Sequence, residues 1–323
     1  MIKDAVSPLE PRYEDLAGDG CGRKARRLFL STRPKFLTAS VLPVFVGTAW
    51  GAAVGGRLDL LVAVIALLAT ALVHAASNVI NDVGDEITGT DRDNYDRIYP
   101  YTGGSRFIQN HIMTAGEMQH WAWTLFGSAA VLGAWLAWLK GPWVIALGIG
   151  GIAIAVLYSA PRVQLSGKGV GEAFLMVAFG VLPVCGAAWL QSSIIDAQSL
   201  LIALPVGIWV TLILLINEVP DRRADGANGK RTLVVRLGVD GARRLYRALH
   251  VVAFASIAAL VVDRALPWWV ALGALAVLAG GFKAASGIGE KVERAVLTKS
   301  IEMTIGLQAV GSIVLFVGAV FAG

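Results

Sequence analysis

Three observations in the sequence predict an all-α fold, a polytopic membrane bundle of nine transmembrane helices. First, the 323 residues are 56% hydrophobic and 16% charged, with a mean hydropathy of +0.64, too apolar for a soluble globule of this length. Second, nine apolar runs approach the ~20 residues that cross a bilayer core: 36–55, 58–81, 120–139, 144–160, 173–190, 200–216, 245–262, 266–282 and 301–321. Third, Lys and Arg gather in alternate loops. Of the 28 basic residues, only Arg57, Lys140 and Arg264 fall on the other side, which predicts an internal N-terminus and an external C-terminus. The net charge of +5 is therefore a topology signal, and it implies no nucleic-acid partner.

Taken in order, residues 1–22 are polar and lack the apolar stretch of a cleaved signal peptide, so a loose tail is expected. Residues 22–35 set Leu28, Phe29 and Leu30 among basic residues, as a short interfacial helix would. The chain thus divides into a polar, basic cytoplasmic tail over 1–32 and the bundle over 33–323. Cys21 lies in the tail and Cys185 inside an apolar run, a separation that speaks against a disulfide or a shared metal.

The second and sixth runs each lead directly into acids. If the helices continue, Asn78, Asp82 and Asp85 share one face, as do Asn217, Asp221 and Asp225. Asn81 belongs to the first motif, and Asp91 follows the Gly89 turn, whereas Asp93 and Asp96 read as a solvated loop. The matching motifs at the ends of even-numbered spans point to an internal repeat, two four-helix halves plus a ninth helix. Carboxylates brought to about 6 Å repel by about 3 kcal/mol per pair at an effective dielectric of about 20, so cations must compensate. Oxygen ligands alone suit Mg²⁺, which is normally shared between one or two carboxylates and substrate phosphates. Lys35, Arg106, Lys230 and Arg231, with Arg33 and Arg97, flank the acids and could hold a diphosphate whose hydrocarbon tail lies along apolar walls. A cation-coupled carrier is the rival from another class, but its acids belong near the bilayer midplane rather than at one face.

From Arg33 onward these motifs resemble the UbiA superfamily of intramembrane polyprenyl transferases. The match lies in Asn78-x-x-Asn81-Asp82-x-x-Asp85 and Asp221-x-x-x-Asp225, followed by Gly229-Lys230-Arg231-Thr232-Leu233 and Arg236-Leu237-Gly238. Tyr158-Ser159-Ala160-Pro161 with Gly169-x-Gly171-Glu172 matches the segment after the fourth helix, which implies that Tyr158 is near the site. Gly167 to Gly171 would suggest a phosphate loop elsewhere, but here they follow a membrane helix rather than a strand. The resemblance implies nine helices and an enzyme of the cytoplasmic (inner) membrane whose site faces the cytoplasm. It also implies Mg²⁺ held by Asp82, Asp85, Asp221 and Asp225 with help from Asn78. Asn78, Asn81, Asp91, Arg106, Tyr158, Asn217, Lys230, Arg231 and Lys35 would then bind a polyprenyl diphosphate and an aromatic acceptor.

Gly89-x-Asp91 and Gly103-Gly104-Ser105 look like the 1,4-dihydroxy-2-naphthoate polyprenyltransferases of menaquinone synthesis. Asn217-Glu218-Val219-Pro220-Asp221 departs from the Asn-Asn-x-Arg-Asp usual in that group, which leaves 4-hydroxybenzoate or another acceptor open. The residue that removes a ring proton is not identified by the sequence.

Overall fold

A computed structural model describes residues 7–322, and every regular element among them is helical. Short helices α1 (Tyr13–Leu16) and α2 (Cys21–Ser31) precede the long ones: α3 (Thr38–Gly55), α4 (Leu60–Thr88), α5 (Ala115–Lys140) and α6 (Trp143–Ser159). Next, α7 (Gly171–Met176) and α8 (Leu182–Ser192) are joined into one rod by a wide turn over Val177–Val181. The chain ends with α9 (Ala197–Ala227), α10 (Leu233–Val262), α11 (Trp269–Ala285) and α12 (Arg294–Val320). Seven rods are long and apolar enough to cross a membrane, whereas α6 and α11 are apolar but shorter.

Helix starts follow from capping chemistry. The Asp59, Asp196 and Thr232 side chains accept the backbone N–H groups of Val62, Ser199 and Val235. Thr114 and Glu117 satisfy each other's backbone in a reciprocal box at the start of α5. Gly89 ends α4 in the left-handed region, at φ 82°.

Close packing depends on small residues. A Cβ on Gly47 would stand 2.1 Å from the Val184 carbonyl oxygen, and one on Gly51 2.3 Å from that of Ala188, so α3 lies backbone to backbone on α8. The largest apolar core joins α3, α8 and the helices α9 to α12 around Trp50, Trp209, Ile216, Tyr246 and Ile257. A second core joins α2, α4 and α5 to residues 107–113. The space between these cores is the cavity described below.

The helix bounds sharpen the expected spans. The helices α4 and α9 run past positions 81 and 216, to Thr88 and Ala227, so both acidic motifs are helical. Pro220 sits inside α9 without ending it, at a place where the helix borders the polar end of a cavity. The helix expected over 245–262 starts at Leu233 and turns at Gly238, whose φ is 69°.

The tail is not loose where it is described. Leu16 is 3% exposed and joins Phe107, Ile112 and Met113 in the second core, while Glu10 holds Arg97 at 2.9 Å. Asn110 donates to the Pro11 carbonyl at 2.8 Å. An apolar anchor and a buried ion pair thus fix a segment whose composition reads as polar. The first six residues of the expected tail lie outside the described residues.

Candidate functional site

A cavity of 590 Å³ opens among α3, α4, α5, α6, α8 and α9. Most of its wall is apolar, with Val44, Val73, Leu136, Ile152, Phe179 and Ile213 among the lining side chains. The last turns of α4 and α9 form its polar end. Of the expected residues, Asn78, Asn81, Asp85, Asp91, Tyr158, Asn217, Asp221, Asp225 and Lys230 all line this one cavity.

Lys230 holds the two motifs together. Its Nζ lies 2.6 Å from Asp85 Oδ1 and 3.7 Å from Asp225 Oδ1, with only 7% of its side chain exposed. Burial pulls this ammonium group down, but Asp85 and Asp225 outweigh burial and hold its pKa above the ordinary value. Lys230 is placed by its backbone, which donates to the Asp225 carbonyl, and by Arg231 N–H, which donates to the Gly167 carbonyl at 2.7 Å. The glycine-rich segment after α6 therefore supports Lys230 from behind.

The loop after α4 closes over the acids. Asn94 Nδ2 donates to Asp221 Oδ1 at 2.7 Å, and Ser105 N–H donates to Asp82 Oδ2 at 3.0 Å. Gly104 is required here: its φ is 74°, and a Cβ would meet Asp91 Oδ2 at 2.3 Å and Asp82 Oδ1 at 3.0 Å. Asp82 is thus buried behind the loop and does not line the cavity, although its motif neighbours do. Burial pushes the Asp91 carboxyl well above the usual carboxylate range, and the charges of Asp85 and Asp82 push it further. Arg106, also buried and behind the cavity wall, donates to the Asp91 backbone carbonyl at 2.6 Å.

Besides Arg106, two expected ligand-binding residues lie off the cavity. The side chains of Lys35 and Arg231 are exposed and line no part of the cavity, because each sits on the outer side of the turn that carries it. Arg33, adjacent to Pro34, takes their place: it lines the cavity in the left-handed region, φ 55°, and donates to the Tyr101 carbonyl at 3.1 Å. Asn94, Thr102 and Glu218 are further lining residues outside the expected set. Asn94 carries no motif signal, and only its closeness to Asp91 could have brought it forward. Glu218 was visible as a departure from a pattern.

Among the described residues, no three His, Cys, Asp or Glu side chains are grouped so as to hold a metal ion by themselves. The polar end and the loop behind it nevertheless hold unpartnered oxygens. Asp82 Oδ1, Asp91 Oδ2, Asn94 Oδ1 and Asn217 Oδ1 are buried without a hydrogen-bond partner, and all are hard acceptors. Such a donor set fits Mg²⁺ that shares its coordination with a phosphorylated ligand.

The family model described as the UbiA prenyltransferase family matches residues 40–299. A 1,4-dihydroxy-2-naphthoate octaprenyltransferase of Escherichia coli (strain K12) is 33% identical over 235 residues, covering 68% of this chain and 71% of the relative. One of the same description from Mycobacterium tuberculosis (strain ATCC 25618 / H37Rv) is 34% identical over 242 residues, covering 74% and 78%. Among solved structures, a UbiA homolog from Archaeoglobus fulgidus bound to DMAPP and Mg²⁺ superposes with a TM-score of 0.64. It shares 17% sequence identity and covers 89% of this chain and 98% of its own, which establishes a common fold.

Proposed function

Since the chain belongs to the UbiA prenyltransferase family, we propose that it transfers a polyprenyl group from an allylic polyprenyl diphosphate to an aromatic acceptor, 1,4-dihydroxy-2-naphthoate. The observation that carries the reading is the convergence of two acid-bearing helix ends and Lys230 at the polar end of an otherwise apolar cavity. A diphosphate needs the polar end, and its hydrocarbon chain needs the rest. The naming of relatives as 1,4-dihydroxy-2-naphthoate octaprenyltransferases supports the acceptor.

In this reading Asp85, Asp221, Asp225 and Asn78 would hold Mg²⁺ at the cavity and Asp82 would support them from behind the loop; the bound ion would neutralise the diphosphate and favour its departure from the allylic carbon. Lys230 and Arg33 face the diphosphate as cations, and Asn81, Asp91 and Asn217 order its surroundings. The apolar wall excludes water from the allylic cation left by the departing diphosphate, so the electron-rich ring is the nucleophile at hand. The ring attacks that carbon, and its carboxylate leaves as CO₂. The carrier reading is disfavoured because the acids occupy the ends of α4 and α9, not their middles.

The same reading makes α6 and α11 membrane-crossing, for nine crossings in two four-helix halves and a ninth helix, within a prenyltransferase domain from residue 33. In this reading the basic loops are internal, the site and the N-terminus face the inside and the C-terminus the outside, and the membrane is the cytoplasmic (inner) one. Membranes containing this enzyme alone test the reaction when given Mg²⁺, a polyprenyl diphosphate and either 1,4-dihydroxy-2-naphthoate or 4-hydroxybenzoate. Demethylmenaquinol, or its quinone after oxidation, is expected from the first acid. Prenylated 4-hydroxybenzoate as the sole product would overturn the acceptor and leave prenyl transfer standing; no prenylated product and no diphosphate release would overturn both.

A further inference from the structure

Glu10 stands ahead of the bundle and outside the matched family region, yet it is 5% exposed and pairs with the loop that covers the acids. Its Oε1 accepts Arg97 Nε at 2.9 Å and lies 2.9 Å from Arg97 Nη2. The third nitrogen of that guanidinium group, Nη1, donates to the Asn94 backbone carbonyl at 2.8 Å. Asn94 is 2% exposed, lines the cavity and donates from Nδ2 to Asp221 Oδ1 at 2.7 Å. Glu10, Arg97, Asn94 and Asp221 therefore form one unbroken line from the N-terminal segment to the polar end of the cavity.

A buried ion pair adds little net stability, because the loss of water offsets the attraction between the charges. What this pair supplies is geometry. A guanidinium group is planar, so a carboxylate that fixes Nε and Nη2 also fixes the direction of Nη1. The loop is folded against the same side chain: a Cβ on Gly103, whose φ is 77°, would stand 2.7 Å from Arg97 Cδ. Among the described residues, Glu10 is the one carboxylate paired with Arg97, whose side chain is 16% exposed. Without it, this largely buried cation regains solvation by swinging outward, and the Asn94 carbonyl loses its donor. An Asn94 free to turn no longer holds Asp221 in one rotamer.

We propose that Glu10 is a positioning residue for the metal site: acting through Arg97 and Asn94, it holds the Asp221 carboxylate in the orientation that binds Mg²⁺. The assignment rests on the prenyl-transfer reading and deepens it, because it makes the N-terminal segment part of the apparatus that receives the diphosphate.

The test uses the full chain in detergent and reads two Mg²⁺ midpoints. One is the concentration giving half-maximal thermal stabilisation with inorganic diphosphate present; the other is that giving half-maximal diphosphate release from a polyprenyl diphosphate with the acceptor. Loss of a group that orients a metal ligand costs about 10–100-fold in metal affinity, and Asn94→Ala is expected in that range. Glu10→Ala should raise both midpoints at least about fivefold while kcat at saturating Mg²⁺ stays within about threefold of the parent. Glu10→Gln keeps the side-chain shape should the alanine variant fail to fold, and should shift both midpoints in the same direction. Glu14→Gln, at an exposed position of α1, should shift neither. Because Glu10 acts through Asn94, the Glu10→Gln/Asn94→Ala double variant is expected to match Asn94→Ala alone. Midpoints within about twofold of the parent in Glu10→Gln, or a double variant weaker than Asn94→Ala by the full effect of Glu10→Gln, would overturn the assignment and leave prenyl transfer standing. A parent enzyme that Mg²⁺ and diphosphate do not stabilise, and that releases no diphosphate, would overturn the prenyl-transfer reading, and this assignment with it.

Discussion

Lys230 Nζ sits 2.6 Å from Asp85 Oδ1, so residues 145 positions apart bridge the two acid-bearing helix ends. The bridge is buried, and Asp225 shares it. Before a metal or a diphosphate arrives, this ammonium group is the cation that allows the carboxylates to stand together.

Removing that cation gives the first prediction. Lys230→Met leaves Asp85 and Asp225 facing each other, and breaking a buried pair costs about 3–5 kcal/mol. The variant should melt well below the parent in EDTA and recover much of the difference in high Mg²⁺, because a ligand that binds only the folded state stabilises it. Thermal unfolding in detergent under both conditions checks this. Equal melting in EDTA would mean that the bridge carries no stability.

The second prediction concerns the acids. Asp221→Ala and Asp82→Ala should each lower turnover by more than about a hundredfold, the scale of losing a charge-stabilising group at a reacting centre. Both proteins should remain extractable, since these acids meet loop donors rather than core side chains. Asp93→Ala, whose carboxylate accepts from Asn228 at 3.3 Å on the surface, should stay within about threefold. Diphosphate release measures all three, and activity within tenfold of the parent in Asp221→Ala would contradict the metal assignment.

The third prediction tests the fold. A side chain on Gly51 has nowhere to go, with the Ala188 carbonyl 2.3 Å from its Cβ position. Gly51→Leu must push α3 off α8 and should cost about 1–3 kcal/mol or more by overpacking. Gly148→Ala, on a cavity-lining helix where a Cβ meets nothing within 4 Å, should be nearly neutral. Melting temperatures of the two variants make the comparison.

The fourth prediction concerns orientation. With Cys21 and Cys185 replaced by serine, single cysteines at Tyr95 and Gly229, both exposed, should react with an impermeant thiol reagent from the cytoplasmic side, and one at Gly141 only from the outside. Labelling of Gly141 and Gly229 from the same side would remove a crossing between them.

Much of this was legible in the sequence because the signals were local. The Asn78 and Asn217 motifs are periodic along one helix each, so their acidic faces follow once α4 and α9 are seen to continue. Lys230 was legible from its nearness to Asp225. Lys35 and Arg231 were misplaced for a physical reason: a charge beside a motif can sit on either side of a turn, and only the turn decides. Arg33 shows the converse, since its left-handed backbone conformation before Pro34 aims it inward. Asn94 and Ser105 reach the acids through a loop whose path depends on contacts with Glu10 and Arg33, and long-range contacts of that kind leave no local pattern.

The loop that covers the acids is tied to both ends of the chain. Glu10 and Arg33 hold it from the N-terminal side, while Tyr101 donates to Glu302 at 2.9 Å and Arg294 donates to the Arg97 carbonyl. During synthesis, therefore, α4 and its loop emerge long before the residues that pin them. The polar end acquires its final shape only when α12 has been inserted, so a nascent chain halted before Arg294 would carry both acidic motifs in the bilayer without a finished diphosphate pocket.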